Sequence, residues 1–189
     1  MKKRVLIVHG IHTDEHTMWM RYFAAKFRHR GWDAEYWTYG YAYALLTRWQ
    51  NPGRARKLAS LIQPGDVVLG HSNGACLAWM AAEIGAPMRG AILLNPALDT
   101  DKVMAKQVEW ANLYANRGDE AVKIASVFLA HPWGAQGRDG LTVADPRYKI
   151  TFTDDSRPAP MVWGHSDIFS LVNLPDWSDR IIDDAEARL

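Results

Sequence analysis

The chain has 189 residues, 48% of them hydrophobic and 23% charged, which suits one domain with a sizeable core rather than two. Lys and Arg number 22 against 21 Asp and Glu, a formal net charge of +1, so charge gives no reason to expect a nucleic-acid or anionic-membrane partner. The single cysteine, Cys76, excludes an intramolecular disulfide and a cysteine metal cluster.

In chain order, the basic start Met1-Lys2-Lys3-Arg4 is followed by only Val5-Leu6-Ile7-Val8 before His9-Gly10. That apolar run is too short for a signal-peptide core, and no stretch approaches the ~20 apolar residues that span a bilayer. The expectation is a cytoplasmic protein. Arg4–His9 reads as a buried strand. Trp19, Tyr22, Phe23, Lys26 and Phe27 fall at helical spacing, with Gly31 as C-cap. Trp32–Tyr39 is a second strand, Arg54–Ile62 a helix ending before Pro64-Gly65, and Asp66–Gly70 a third strand. Ser72–Ala82 is rich in helix formers, and Arg89–Asn95, Glu109–Tyr114 and Tyr148–Thr153 read as three further strands. Pro175 opens a C-terminal helix. Short apolar strands alternating with helices predict an α/β three-layer sandwich around a mainly parallel sheet of about six strands. Ligands of such sheets sit beyond the carboxyl ends of the strands. The segments to inspect there are His9–His12, Gly70–Gly74, Asn95-Pro96, Asn116–Asp119 and the stretch around His165.

Gly70-His71-Ser72-Asn73-Gly74 is a G-x-S-x-G pattern between a Val-Val-Leu strand and a small-residue helix. A sharp strand-to-helix turn holds its serine in a strained backbone conformation, so the residues two places either side must be tiny. The turn lifts the hydroxyl above the sheet and aims the helix start at a reacting carbonyl, making the Asn73 N–H an oxyanion donor. A serine nucleophile needs a base, and histidine fits because it titrates near neutrality.

With this elbow, His9-Gly10-Ile11-His12 after the first strand and Trp163-Gly164-His165-Ser166-Asp167 late in the chain, the sequence resembles the α/β-hydrolase family over nearly its whole length. The resemblance implies that the N–H of Ile11 is the second oxyanion donor and that His165 is the base. It also implies that Asp119, in Leu113-Tyr114-Ala115-Asn116-Arg117-Gly118-Asp119, is the acid that orients His165. Asp139, Asp145, Asp154 and Asp155 remain alternatives, and Asp119 also suits a helix N-cap. His12, His71 and Trp133 are candidates for substrate contact. The family's usual cap does not fit in Pro96–Val108, so a capless, open site is expected. The implied activity is that of a serine hydrolase cleaving a carboxylic ester or thioester of a small-molecule acyl substrate through an acyl-enzyme on Ser72, with no cofactor and no metal. Two other readings stand beside it. One is a non-catalytic binding protein on the same fold. The other is a metal-dependent hydrolase using His12, Glu15 and His16, an H-x-x-E-H match that needs both histidines on one helix face.

Overall fold

The alternation of apolar runs with amphipathic segments becomes, in the computed structural model, a parallel sheet covered by helices on both faces. It describes residues 3–11, 18–40, 44–122, 133–154 and 164–189. Strands β1 (Arg4–Val8), β2 (Asp33–Trp37), β3 (Val67–His71), β4 (Gly90–Leu94), β5 (Trp110–Ala115) and β6 (Tyr148–Phe152) are the six expected runs. They lie in the order β2-β1-β3-β4-β5-β6, and every neighbouring pair is parallel. Successive β1 side chains alternate between two cores. Val5 and Ile7 join the layer of α1 (Met18–His29) and α5 (Leu174–Glu186), while Leu6 and Val8 join that of α2 (Ala44–Ala59) and α3 (Asn73–Glu83).

Helix α1 buries Trp19, Met20, Phe23, Ala24 and Phe27 on one stripe and ends on Lys26, Arg28 and His29, which suit the negative end of its dipole. Gly31, at φ +82°, turns the chain so that the Trp32 N–H reaches the Phe27 carbonyl at 3.0 Å. Helix α2 starts well before the expected Arg54 and carries Pro52 inside. Proline is disfavoured there, but packing against α3 outweighs the lost hydrogen bond. A one-turn helix, α4 (Gln136–Asp139), lies between β5 and β6.

No cap intervenes between β4 and β5; residues 95–109 form a short connection held by Arg147, just before β6. Arg147 donates to the carbonyls of Met104 (2.8 Å), Ala105 (2.9 Å) and Val108 (2.9 Å) and pairs with Asp145 at 2.6 Å. Arg147→Met would leave those carbonyls unmet at about 1 kcal/mol each. At ~2–4 °C per kcal/mol, thermal unfolding is expected to fall by on the order of 10 °C.

The chain passes from β1 to β2 on one side and returns to β3 on the other, so the crevice of this sheet opens at the carboxyl ends of β1 and β3. His9-Gly10-Ile11 and Ser72-Asn73 lie there.

Candidate active site

Between β3 and α3 the chain turns through Ser72, whose φ of 54° and ψ of −119° are rarely adopted by L residues. Backbone bonds hold the turn. The Ser72 N–H donates to Leu94 of β4 at 3.0 Å, and the Ser72 carbonyl accepts from Ala75 (3.1 Å), Cys76 (3.3 Å) and Ala97 (3.3 Å). A Cβ on Gly70 would lie 2.6 Å from the Ala75 nitrogen, and one on Gly74 would run into the carbonyl oxygen of Val8. One on Gly10 would stand 3.0 Å from the Ser72 Cβ. These contacts are with backbone or with the elbow itself, so neither side can yield. Gly74→Ala is expected to cost at least ~3 kcal/mol in urea unfolding.

Asn73 is the first residue of α3, and its N–H has no acceptor among the described residues. Opposite, the His9 Nδ1–H donates to the Gly10 carbonyl at 2.6 Å. Carbonyl and N–H point oppositely across a trans peptide, so this bond fixes the plane that carries the Ile11 N–H. The other ring nitrogen, Nε2, accepts from the Thr38 hydroxyl (3.1 Å) and the Tyr39 N–H (3.3 Å), and the ring stacks on Tyr39 at 4.1 Å.

His165 precedes a 3-10 turn (Asp167–Phe169), and its Nδ1 lies 2.6 Å from Asp119 Oδ2. Asp119 is fully buried. Its Oδ1 accepts the Val122 N–H at 3.1 Å and its Oδ2 also accepts from Asn95 Nδ2 at 3.1 Å. The N-cap and the histidine-partner roles therefore coexist, served by different oxygens. Asn95 follows β4 at φ 44°, a conformation that asparagine tolerates better than most residues. Sequence reasoning flagged Asn95-Pro96 by position but did not reach this role. With Nδ1 engaged by a carboxylate, Nε2 of His165 is the nitrogen available as a base. Among the described residues no hydrogen bond joins the Ser72 hydroxyl to His165. The elbow itself holds His165, because the His71 Nε2–H donates to the His165 carbonyl at 3.2 Å and the two rings lie 4.8 Å apart.

His71 is packed inside rather than on an open wall, edge-on to Trp19 (5.7 Å) and Phe169 (4.7 Å). Burial, and then the neighbouring His165, holds its pKa well below the usual histidine value, so it is neutral. The unfolded chain binds a proton at this residue below about pH 6.5 and the folded one does not, so stability falls as pH drops through that value. His71→Gln is expected to flatten this loss in urea titrations between pH 7 and pH 5.

Trp133 is likewise buried, against Cys76, Ala97, Leu98 and Val122. Burial pushes the Cys76 thiol up to about 12, which leaves it an inert packing residue. Asp145 is taken up by Arg147, Asp154 pairs with Arg117 at 3.2 Å, and Asp139 is exposed. Asp155 and His12, Glu15 and His16 lie outside the described residues. Among the described residues no group of three or more His, Cys, Asp or Glu could hold a metal ion, and no helix is long and apolar enough to cross a membrane.

No protein-family model matches the sequence, and neither does any curated protein. Solved structures do match along nearly the whole chain. A protein from Xanthomonas campestris pv. campestris, described as a hydrolase of the alpha/beta superfamily, aligns over 98% of this chain and 99% of its own at 16% identity and a TM-score of 0.59. Mouse alpha/beta hydrolase domain-containing protein 10 aligns over 97% and 90% at 11% identity and a TM-score of 0.62. An esterase from Exiguobacterium antarcticum aligns over 97% and 92% at 11% identity and a TM-score of 0.60. With six parallel strands, helices on both faces and a serine elbow after β3, the chain has the α/β-hydrolase fold.

Proposed function

We propose that this protein is a serine hydrolase that cleaves a carboxylic ester or thioester through an acyl-enzyme on Ser72. The observation that carries the reading is the 2.6 Å contact between His165 and the buried carboxylate of Asp119, on a loop that the elbow residue His71 holds by hydrogen bond. A buried carboxylate fixes the imidazole tautomer with its proton on Nδ1, so Nε2 accepts the Ser72 proton as Oγ attacks the acyl carbon. The tetrahedral oxyanion is held by the N–H groups of Asn73 and Ile11, each worth ~3 kcal/mol in the transition state. As the intermediate collapses, the bond to the leaving oxygen or sulfur breaks, and the proton on His165 goes to that atom. Water then attacks the acyl-Ser72 carbon while His165 takes its proton, and Ser72 is released. This cycle needs neither metal nor organic cofactor. The short β4–β5 connection supports a substrate whose acyl group reaches an uncapped site from solution.

A chain-length series of p-nitrophenyl esters, with and without chelator and with and without a fluorophosphonate, tests the reading. Hydrolysis that survives chelator and is lost on fluorophosphonate treatment is expected. Loss to chelator alone would favour the His12, Glu15 and His16 alternative, and no turnover of any ester would favour a binding protein.

A further inference from the structure

Both proposed oxyanion donors are backbone groups on separate loops, one after β1 and one after β3, and catalysis requires them to converge on a single atom. A continuous side-chain path joins those loops. The Tyr39 hydroxyl donates to the His9 carbonyl at 3.0 Å, and the same oxygen accepts from Asn73 Nδ2 at 3.0 Å. The Asn73 carboxamide is held from its other side by Asn51 of α2, whose Nδ2 donates to Asn73 Oδ1 at 2.6 Å; Asn73 Nδ2 in turn donates to Asn51 Oδ1 at 3.3 Å. Tyr39 is itself immobilised. Its ring stacks on His9 at 4.1 Å on the β1 side, and the Arg54 guanidinium lies 4.7 Å from its centroid. Burial raises the pKa of the phenol, so the hydroxyl keeps the proton it donates.

We infer that Tyr39 is a positioning residue that ties the two halves of the oxyanion hole together, setting the spacing between the Ile11 and Asn73 N–H groups through the His9 carbonyl and the Asn73 side chain. This rests on the serine-hydrolase reading above. A Tyr39 that only filled space would need its ring alone. The two hydrogen bonds its oxygen makes, one to each loop, are the feature packing does not require. The Asn73 side chain is likewise not needed for the elbow turn, which among the described residues is held by backbone bonds at Ser72.

The test is a double-mutant cycle read by the second-order rate of fluorophosphonate labelling, whose phosphoryl oxygen needs the same donors. Tyr39→Phe keeps the ring, its stack and the cation contact while removing both bonds; Asn73→Ala keeps the backbone N–H and cuts the bridge at the elbow. Each single variant is expected to label at least about 10-fold more slowly. The double variant should be no slower than the slower single, because both cut one bridge. Where ester turnover is measurable, kcat should fall with KM little changed. Should Tyr39→Phe not fold, Asn73→Ala and Asn51→Ala carry the same cycle from the other end. Wild-type labelling rates in the single variants, or losses that multiply in the double, would overturn the inference. An unlabelled wild-type protein would instead overturn the hydrolase reading, so the two failures are distinct.

Discussion

Ser72→Ala is expected to lower ester turnover by at least about 10⁴-fold while leaving the fold as stable as before. The rate argument is that Ser72 carries the only hydroxyl of the elbow Gly70–Gly74, and its neighbour His71 holds the loop that carries His165. The stability argument comes from the turn. Among the described residues, all four bonds that hold Ser72 are made by its backbone N–H and carbonyl, and none by its hydroxyl. Alanine at φ 54° is strained to the same degree as serine, so the change removes one oxygen from a conformation that is already fixed. Denaturant unfolding of the variant should stay within ~0.5 kcal/mol of wild type. Activity lost together with stability would show that the hydroxyl is structural.

Asp119→Asn is expected to lower kcat by about 10⁴-fold and to destabilise by ~1–3 kcal/mol. The carboxylate accepts from three donors: His165 Nδ1 and Asn95 Nδ2 on one oxygen, and the Val122 N–H on the other. An amide has one acceptor oxygen. If its NH₂ faces His165, it meets two donors and the imidazole must flip to the tautomer that cannot take a proton at Nε2. If its oxygen faces His165, its NH₂ meets the Val122 N–H and the cap is lost. Either orientation leaves a buried donor unmet. A variant with wild-type kcat would mean that Asp119 is only a helix cap. Asp154, paired with Arg117 near the same strand end, would then be the next candidate acid.

Much of this architecture is legible in the sequence because buried parallel strands are continuous apolar runs whose pattern needs no knowledge of partners. The elbow is legible for a related reason: the clashes that forbid a Cβ at Gly70 and Gly74 are local, so the glycines are written two places either side of the serine. Asp119 shows the boundary. Its spacing admitted a cap or an acid, and only the arrangement in space reveals that it can serve both. The Tyr39–Asn73–Asn51 chain lies beyond sequence reasoning, because its bonds join residues 34 and 22 positions apart and depend on how α2 packs on α3. Helix α2 runs back through Pro52 to Ala44 on packing against α3, which a local sequence pattern does not encode. His71 looks like a pocket residue from its place in the elbow, and Trp133 from its place in the long connection between β5 and β6. Their burial against Phe169 and Cys76 follows from contacts that periodicity does not encode.

The most direct measurement is mass spectrometry of the intact and digested protein after reaction with a fluorophosphonate. One adduct per chain is predicted, on the peptide that contains Ser72, absent in Ser72→Ala and strongly reduced in His165→Ala. A wild-type chain that takes up no adduct, or one modified on a different residue with Ser72 untouched, would contradict the account.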